Sequence, residues 1–350
     1  MFALRAALMR ALALAFPLSF LGASCGPAAL GVMPGVINDP QNLSLRRDIL
    51  AYGRRRACAE VQSRSLPIRP RDDAATIGRF VPLTCYARDM PNGELYLQLG
   101  GRGYVWTSMS QRVGFEAGGG VSYDTDFQLD GSTMYVYFRP RSATPPGFIT
   151  SVVESSQAAF FGGMMRAPNG QKMTDAFGSS LMSNQLARGF TIIRATNGSV
   201  EMGLGVIPPG AHPTPGISTL DRDKPVLAND RSELHTNQRD FVPLDVPAGA
   251  RLTLLVGVAG VPAVDVLLVP RAPGDAWLAA YATQAATTPP TAQPLVDEPV
   301  TAGAIWQRTV AVPPGAYYLV LDNTPTAGRS APAAGYGDQP ALVSYAVQLE

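Results

Sequence analysis

Glycine and proline interrupt this chain about every fifth residue, 35 of one and 31 of the other in 350, and that spacing limits how far any helix can run. Charged residues supply 16% of the chain and hydrophobic ones 46%, so the segments between turns carry enough apolar side chains to bury. The combination points to a β-rich exported protein with few helices. Basic and acidic residues nearly balance, 28 against 27, which leaves no electrostatic footprint for nucleic acid.

The export expectation comes from the first residues. Arg5 and Arg10 make a basic opening, and the charge-free run from Ala11 to Leu21 is too short for a permanent bilayer span. Leu21-Gly22-Ala23-Ser24-Cys25 follows at once and resembles the lipobox of bacterial lipoproteins. That resemblance implies a signal peptide over residues 1–24, a Cys25 thiol carrying two acyl chains such as palmitate, and a membrane anchor as a partner. An ordinary secretory signal cut near Ala23 or Ser24 is the other reading. Gly26 in place of an aspartate favours the outer membrane, facing the periplasm or the exterior. Cys58 and Cys85 are the remaining cysteines; in an oxidising compartment they either pair or stay buried as thiols. Paired, they would close a loop of about 28 residues and contribute roughly 3 kcal/mol by chain entropy.

Periodicity divides the rest. Residues 25–40 read as a lipidated tether. Asp39-Pro40 opens a helix whose apolar face includes Ile49, Leu50, Tyr52, Ala57 and Val61, with Arg46, Arg47, Arg54, Arg55 and Arg56 on the remainder as a solvated face or a contact for anionic headgroups. From Phe80 to Arg139 the period becomes two, with an Asp130-Gly131 turn that puts Met134, Val136 and Phe138 on one face and Tyr135 and Tyr137 on the other. Ile149, Val153, Phe160 and Met164, then Met173, Phe177 and Leu181, recur at helical spacing around a Pro168-Asn169-Gly170 break. The expected architecture is therefore an α+β domain over residues 41–207, a curved antiparallel sheet packed on helices. A Pro-rich linker over 208–237 and an all-β sandwich or jelly-roll domain over 238–350 follow. In the last part Val246-Pro247-Ala248-Gly249-Ala250 and Val312-Pro313-Pro314-Gly315-Ala316 form an internal echo, read as two hairpin turns, and Trp277 to Ala282 is read as a strand.

No catalytic motif stands out. The only histidines, His212 and His235, fall in the expected linker, a poor support for a catalytic or zinc site. Asp124, Asp126 and Asp130 with Gly131 depart from calcium-loop spacing and read as a strand and its turn. Neither a metal nor another cofactor is called for, and the chain reads as a non-enzyme. Clustered Met164, Met165, Met173 and Met182 with Phe160, Phe161 and Phe177 are either core or the wall of an apolar site.

The order of helix, long hairpins, helix and final strand, with Leu186-Ala187-Arg188-Gly189-Phe190-Thr191 at the last handover, resembles the tubular lipid-binding superfamily. That likeness implies a curved sheet around a helix, and an apolar ligand against Met134, Val136, Phe138, Phe160, Met164, Phe177 and Leu181. Gly315-Ala316-Tyr317-Tyr318-Leu319-Val320-Leu321-Asp322 and Ser344-Tyr345-Ala346-Val347 resemble the β-sandwich modules appended to bacterial secreted proteins, which implies an accessory role. The leading expectation is a lipoprotein that binds a lipid or another apolar molecule. The alternative is a structural lipoprotein whose sandwich presents Trp277, Tyr281, Trp306 or Tyr317 to an envelope protein or glycan.

Overall fold

The computed structural model describes residues 34–108, 110–144, 147–154, 187–213, 215–221, 223–336 and 339–350. The protein is mostly β: 51% of the described residues lie in strands, and the strands pair antiparallel. The first part holds helices α1 (Pro34–Ile37) and α2 (Leu43–Arg64) and strands β1 (Leu66–Ile68), β2 (Gly78–Asp89), β3 (Leu95–Thr107), β4 (Gln111–Asp130), β5 (Thr133–Ala143), β6 (Gly147–Val153), β7 (Phe190–Arg194) and β8 (Val200–Leu204). These strands make one sheet in the order β1-β2-β3-β4-β5-β7-β8.

Strand β4 organises that sheet. Of its 20 residues, 111–123 pair with β3 along one edge, while on the other edge β5 takes residues 121–130 and β6 takes residues 113–118. It runs from Gln111 to Asp130 as one strand, straight through Gly118, Gly119 and Gly120. Close approach explains two of the glycines. A Cβ on Gly103 would sit 2.5 Å from the Phe115 ring and 2.6 Å from the Arg79 carbonyl oxygen, and one on Gly114 would sit 2.0 Å from the Ala282 carbonyl oxygen.

Alternation along β3, β4 and β5 sends Leu95, Leu97, Leu99, Val121, Tyr123 and Phe138 to the inner face, where Ala57 and Val61 of α2 cover them. The Cys58–Cys85 disulfide ties α2 to β2, with Cα atoms 5.5 Å apart. Ile149 and Val153, expected to start a helix, lie in β6. Their stretch is rich in β-branched residues, which favours the strand. The remainder of that expected helix lies outside the described residues.

The second part contains β9 (Val226–Leu234), β10 (Gln238–Val246), β11 (Arg251–Ala259), β12 (Ala263–Pro270), α3 (Arg271–Thr283), β13 (Val296–Thr301), β14 (Trp306–Ala311), β15 (Gly315–Asn323) and β16 (Ala341–Leu349). Its two four-stranded sheets, β10-β15-β12-β13 and β14-β11-β16-β9, form a sandwich-like pair. Alternate residues of both fill the space between them, among them Leu244, Leu254, Val256, Val266, Leu319 and Val343.

Three local expectations are overturned here. The two Pro-Gly echoes are not hairpins: β10 pairs with β15 and β11 with β14, so each turn is an arch from one sheet to the other. The arches lie side by side, with Val246 opposite Gly315 and Arg251 opposite Ala311. Trp277–Ala282 belongs to helix α3, not to a strand. Pro273 near its start and Ala279, Ala280 and Ala282 favour the helix, and burial of Trp277, Leu278 and Tyr281 on one side fixes it. Finally, residues 226–234 of the expected linker are β9, a sheet-edge strand whose Asp230, Arg231 and Glu233 hide its pattern. The preceding stretch is fastened over the outer face of the β11–β16 pair, where Ile217 and Leu220 pack on Leu255 and Ala346 and the Gly216 and Ile217 amides donate to Asn229 Oδ1.

Candidate functional site

The two parts meet across a buried contact. The outer face of β10, β12 and β15 carries Phe241, Leu267, Tyr318 and Val320, and α3 together with Val81 and Tyr104 of the first sheet closes over it. Strands buried on both faces are apolar nearly throughout, as Tyr317-Tyr318-Leu319-Val320-Leu321 shows. At the centre Arg79 of β2 makes a two-pronged ion pair with Asp240 of β10, Nε to Oδ1 at 2.8 Å and Nη2 to Oδ2 at 2.6 Å, and both side chains are 3% exposed. The Tyr104 and Ser232 hydroxyls donate to the same carboxylate, each at 2.6 Å. Burial pushes the Asp240 carboxyl up, but the Arg79 charge and these hydrogen bonds outweigh it and hold the group below the usual aspartate value.

A second pair lies on the outer face of β10 and β15 beneath α3, with the Arg239 guanidinium 4.4 Å above the Trp277 ring. Arg239 Nε is 2.8 Å from Asp322 Oδ1, and neither side chain is exposed. Burial raises Asp322 to about 6, with Asp265 across the strand pair adding to the effect and Arg239 opposing it. Arg112 ends α3 from the first sheet, donating to the Tyr281 carbonyl at 2.5 Å and the Ala285 carbonyl at 2.6 Å, where the negative end of the helix dipole favours a cation. The charged groups of these clusters are oriented toward one another, although Arg239 Nε and Asp322 Oδ1 face each other as an ion pair without a well-formed hydrogen bond.

His235 is also structural in its setting, not part of a mobile linker. It is 7% exposed, stacks on Trp106 at 3.4 Å between ring centroids and contacts Glu233 through Nε2 at 3.0 Å. A turn between β9 and β10 puts it there, and nothing in its flanking sequence signalled that packing. His212 lies on the surface against Glu201 at 3.2 Å. Asp126 is held by Arg46 at 2.6 Å and Asp124 by Arg141 at 2.9 Å.

The first sheet's inner face holds the site that resembles a ligand pocket. An apolar cavity of about 30 Å³ opens between Val61 of α2, Leu66 and Ile68 of β1, Phe80 of β2, Leu97 and Leu99 of β3, Phe190 of β7 and Leu204 of β8. Tyr123 supplies the one polar side chain of the lining. It stands edge-on to Phe138 at 6.1 Å and Phe190 at 5.5 Å, and burial raises its phenol well above the usual tyrosine range. Its hydroxyl takes no hydrogen bond among the described residues. A void of this size admits about two waters, or the tip of an aliphatic chain, and its apolar walls favour the latter.

Of the residues expected to line an apolar site, Phe138 stacks on Phe190 at 4.2 Å beside this cavity. Met134 and Val136 instead pack under Leu45, Ile49 and Leu50 of α2 with Ile37 of α1, so the chain's own helix fills the space above them. Phe160, Met164, Phe177 and Leu181, like Cys25, lie outside the described residues. The lining from β1 and β2 went unread in the sequence, because the pairing of a three-residue strand leaves no pattern. On the sandwich, Trp277 is 1%, Tyr281 2% and Tyr317 5% exposed, and Trp306 is half-buried against the core. The aromatics expected to face a partner are therefore turned inward: Trp277 and Tyr281 lie between α3, the first sheet and the sandwich, and Tyr317 and Trp306 pack on the core between the two sandwich sheets.

No described helix is long and apolar enough to cross a membrane. No family model matches the sequence, and no curated protein matches it.

Proposed function

We propose that this protein is an exported lipoprotein of the cell envelope, anchored through Cys25, that binds an apolar molecule without catalysing a reaction. The observation that carries the ligand reading is the cavity walled by Val61, Leu97, Leu99, Phe190 and Leu204, with a Tyr123 hydroxyl beside it that takes no hydrogen bond among the described residues. A curled antiparallel sheet with a 22-residue helix on its inner face supports the resemblance to tubular lipid-binding proteins. Bonding of Cys58 to Cys85 supports passage into an oxidising compartment. The signal-like start, followed by Leu21-Gly22-Ala23-Ser24-Cys25, supports the anchor and, with Gly26, an outer-membrane address.

In this reading the aliphatic end of the ligand enters between α2 and β8, and the rest lies across the mouth. Tyr123 offers the single directional contact, a hydrogen bond worth about 0.5–1.5 kcal/mol, so shape and apolar burial set the selectivity. Native mass spectrometry after gentle extraction tests it. The expected result is a bound apolar mass that is lost when Leu204→Trp fills the cavity; a clean apo spectrum for the folded wild type would overturn the reading.

A further inference from the structure

The arginines of α2 do not form one solvated face; the structure sorts them. Arg46 turns inward to Asp126 at 2.6 Å and to the Ile37 and Phe127 carbonyls, with its guanidinium 4.6 Å above the Phe127 ring. Arg54 turns inward to Thr125, Asp89 and the Gly93 carbonyl. Arg47 and Arg55 are exposed and take no partner among the described residues. They stand two helical turns apart and so share a face. Leu43, one turn before Arg47, is 67% exposed, and Val36 is 51% exposed. The Asn42 side-chain amide donates to the Val36 carbonyl at 2.7 Å, which holds both apolar residues at the same corner.

That corner is also where the tether arrives. Eight residues separate Cys25 from α1, and at about 3.5 Å each they reach no more than about 30 Å. We propose that the exposed face of α1 and α2 is a docking surface for an anionic bilayer, with Leu43 and Val36 entering the headgroup layer and Arg47 and Arg55 on lipid phosphates. This rests on the Cys25 anchor reading and adds to it a fixed orientation of the body. Asp48 is the one exposed acid within α2, so the face stays net positive. A surface turned only to water accounts for the arginines but leaves the most exposed large hydrophobic residue at the tether end without a role.

The mature chain, residues 25–350, tests this. With Cys58 and Cys85 bridged, Cys25 is its one free thiol and can be coupled chemically to a maleimide lipid in vesicles. Phenylglyoxal modification is then followed by peptide mass spectrometry at Arg47 and Arg55, with exposed Arg251 as the internal standard. On vesicles containing phosphatidylglycerol, Arg47 and Arg55 should react at least about five-fold more slowly than on pure phosphatidylcholine. Arg251 should be unchanged, and the protection should vanish in about 1 M salt. Equal rates on both vesicles would overturn the proposal. As a second measurement, the uncoupled Cys25→Ser chain should lose about 25-fold in partition onto anionic vesicles when it carries Arg47→Glu and Arg55→Glu. An unchanged partition places the contact elsewhere and also overturns it. Because the coupling is chemical, a cell that leaves Cys25 unacylated would defeat the anchor reading without affecting this result.

Discussion

Replacing Asp240 by asparagine keeps the shape of the junction and removes one charge, so it isolates what the Arg79–Asp240 pair contributes. Arg79 is then left 3% exposed with no counter-ion. Breaking one side of a buried pair costs about 3–5 kcal/mol, against a total stability of about 5–15 kcal/mol for a folded domain. The Tyr104 and Ser232 hydrogen bonds survive on the amide oxygen or are lost with it, so the expected loss lies in that range and not below it. Urea unfolding followed by circular dichroism reads the change as a shift in midpoint at constant slope. Arg79→Met alone should cost a similar amount by stranding the carboxylate. The double variant strands neither charge and should be less destabilised than either single one, a coupling of more than about 3 kcal/mol. Additive single effects, or a loss under about 1 kcal/mol for Asp240→Asn, would refute the view that this pair joins the two parts. The pH dependence has a definite sign. A carboxyl held below its unfolded value stabilises the fold above that value, so this contribution is present at neutral pH and disappears in acid as pH falls through the folded value.

Asp322 should act in the opposite direction. Its folded value near 6 lies above the reference of 3.8, so the native state keeps a proton that the unfolded chain has released. Stability from this group therefore falls by about 3 kcal/mol as pH rises from 4 to above 6. Carboxyl carbon resonances across that range check it, and titration below pH 4 would contradict it. Gly103→Ala should cost about 1–3 kcal/mol in thermal or urea unfolding, because the added methyl meets the Phe115 ring and the Arg79 carbonyl; a neutral result would mean that the sheet can open there. Reducing the Cys58–Cys85 bond should cost about 3 kcal/mol by chain entropy, read as a lower urea midpoint with and without reductant. Tyr123→Phe should leave stability within about 1 kcal/mol, since the hydroxyl lacks a partner, while weakening any ligand that hydrogen-bonds to it.

How much could be read in the sequence depended on whether a pattern was local. The period of two over residues 80–139 and the Asp130-Gly131 turn are carried by neighbouring residues, and β3, β4 and β5 follow from them. The Pro-Gly echoes were visible as repeats, but whether a turn stays within a sheet or crosses to another depends on partners more than sixty residues away, such as Val246 opposite Gly315. Helix α3 resembled a strand because aromatic residues such as Trp277 and Tyr281 are enriched in strands, and only the surface it covers decides for the helix. In the candidate site, Phe138 was legible through alternation. Val61, Ile68, Phe80, Leu97 and Phe190 come together only when the sheet curls, a property distributed over its glycines and not encoded at any one position. The ion pairs between the parts left no trace in sequence, since an Arg in one strand and an Asp in another read as ordinary surface charges.

The central claim concerns where the protein resides and how it is held. Intact-mass spectrometry of the protein purified from the membrane fraction of its own cells, followed by mapping of the N-terminal peptide, tests it most directly. The account predicts a chain that begins at Cys25, carries acyl mass on that residue and is lighter by two hydrogens through the Cys58–Cys85 bond. An unmodified chain that begins at Met1 and is recovered from the cytosol with both thiols free would contradict it.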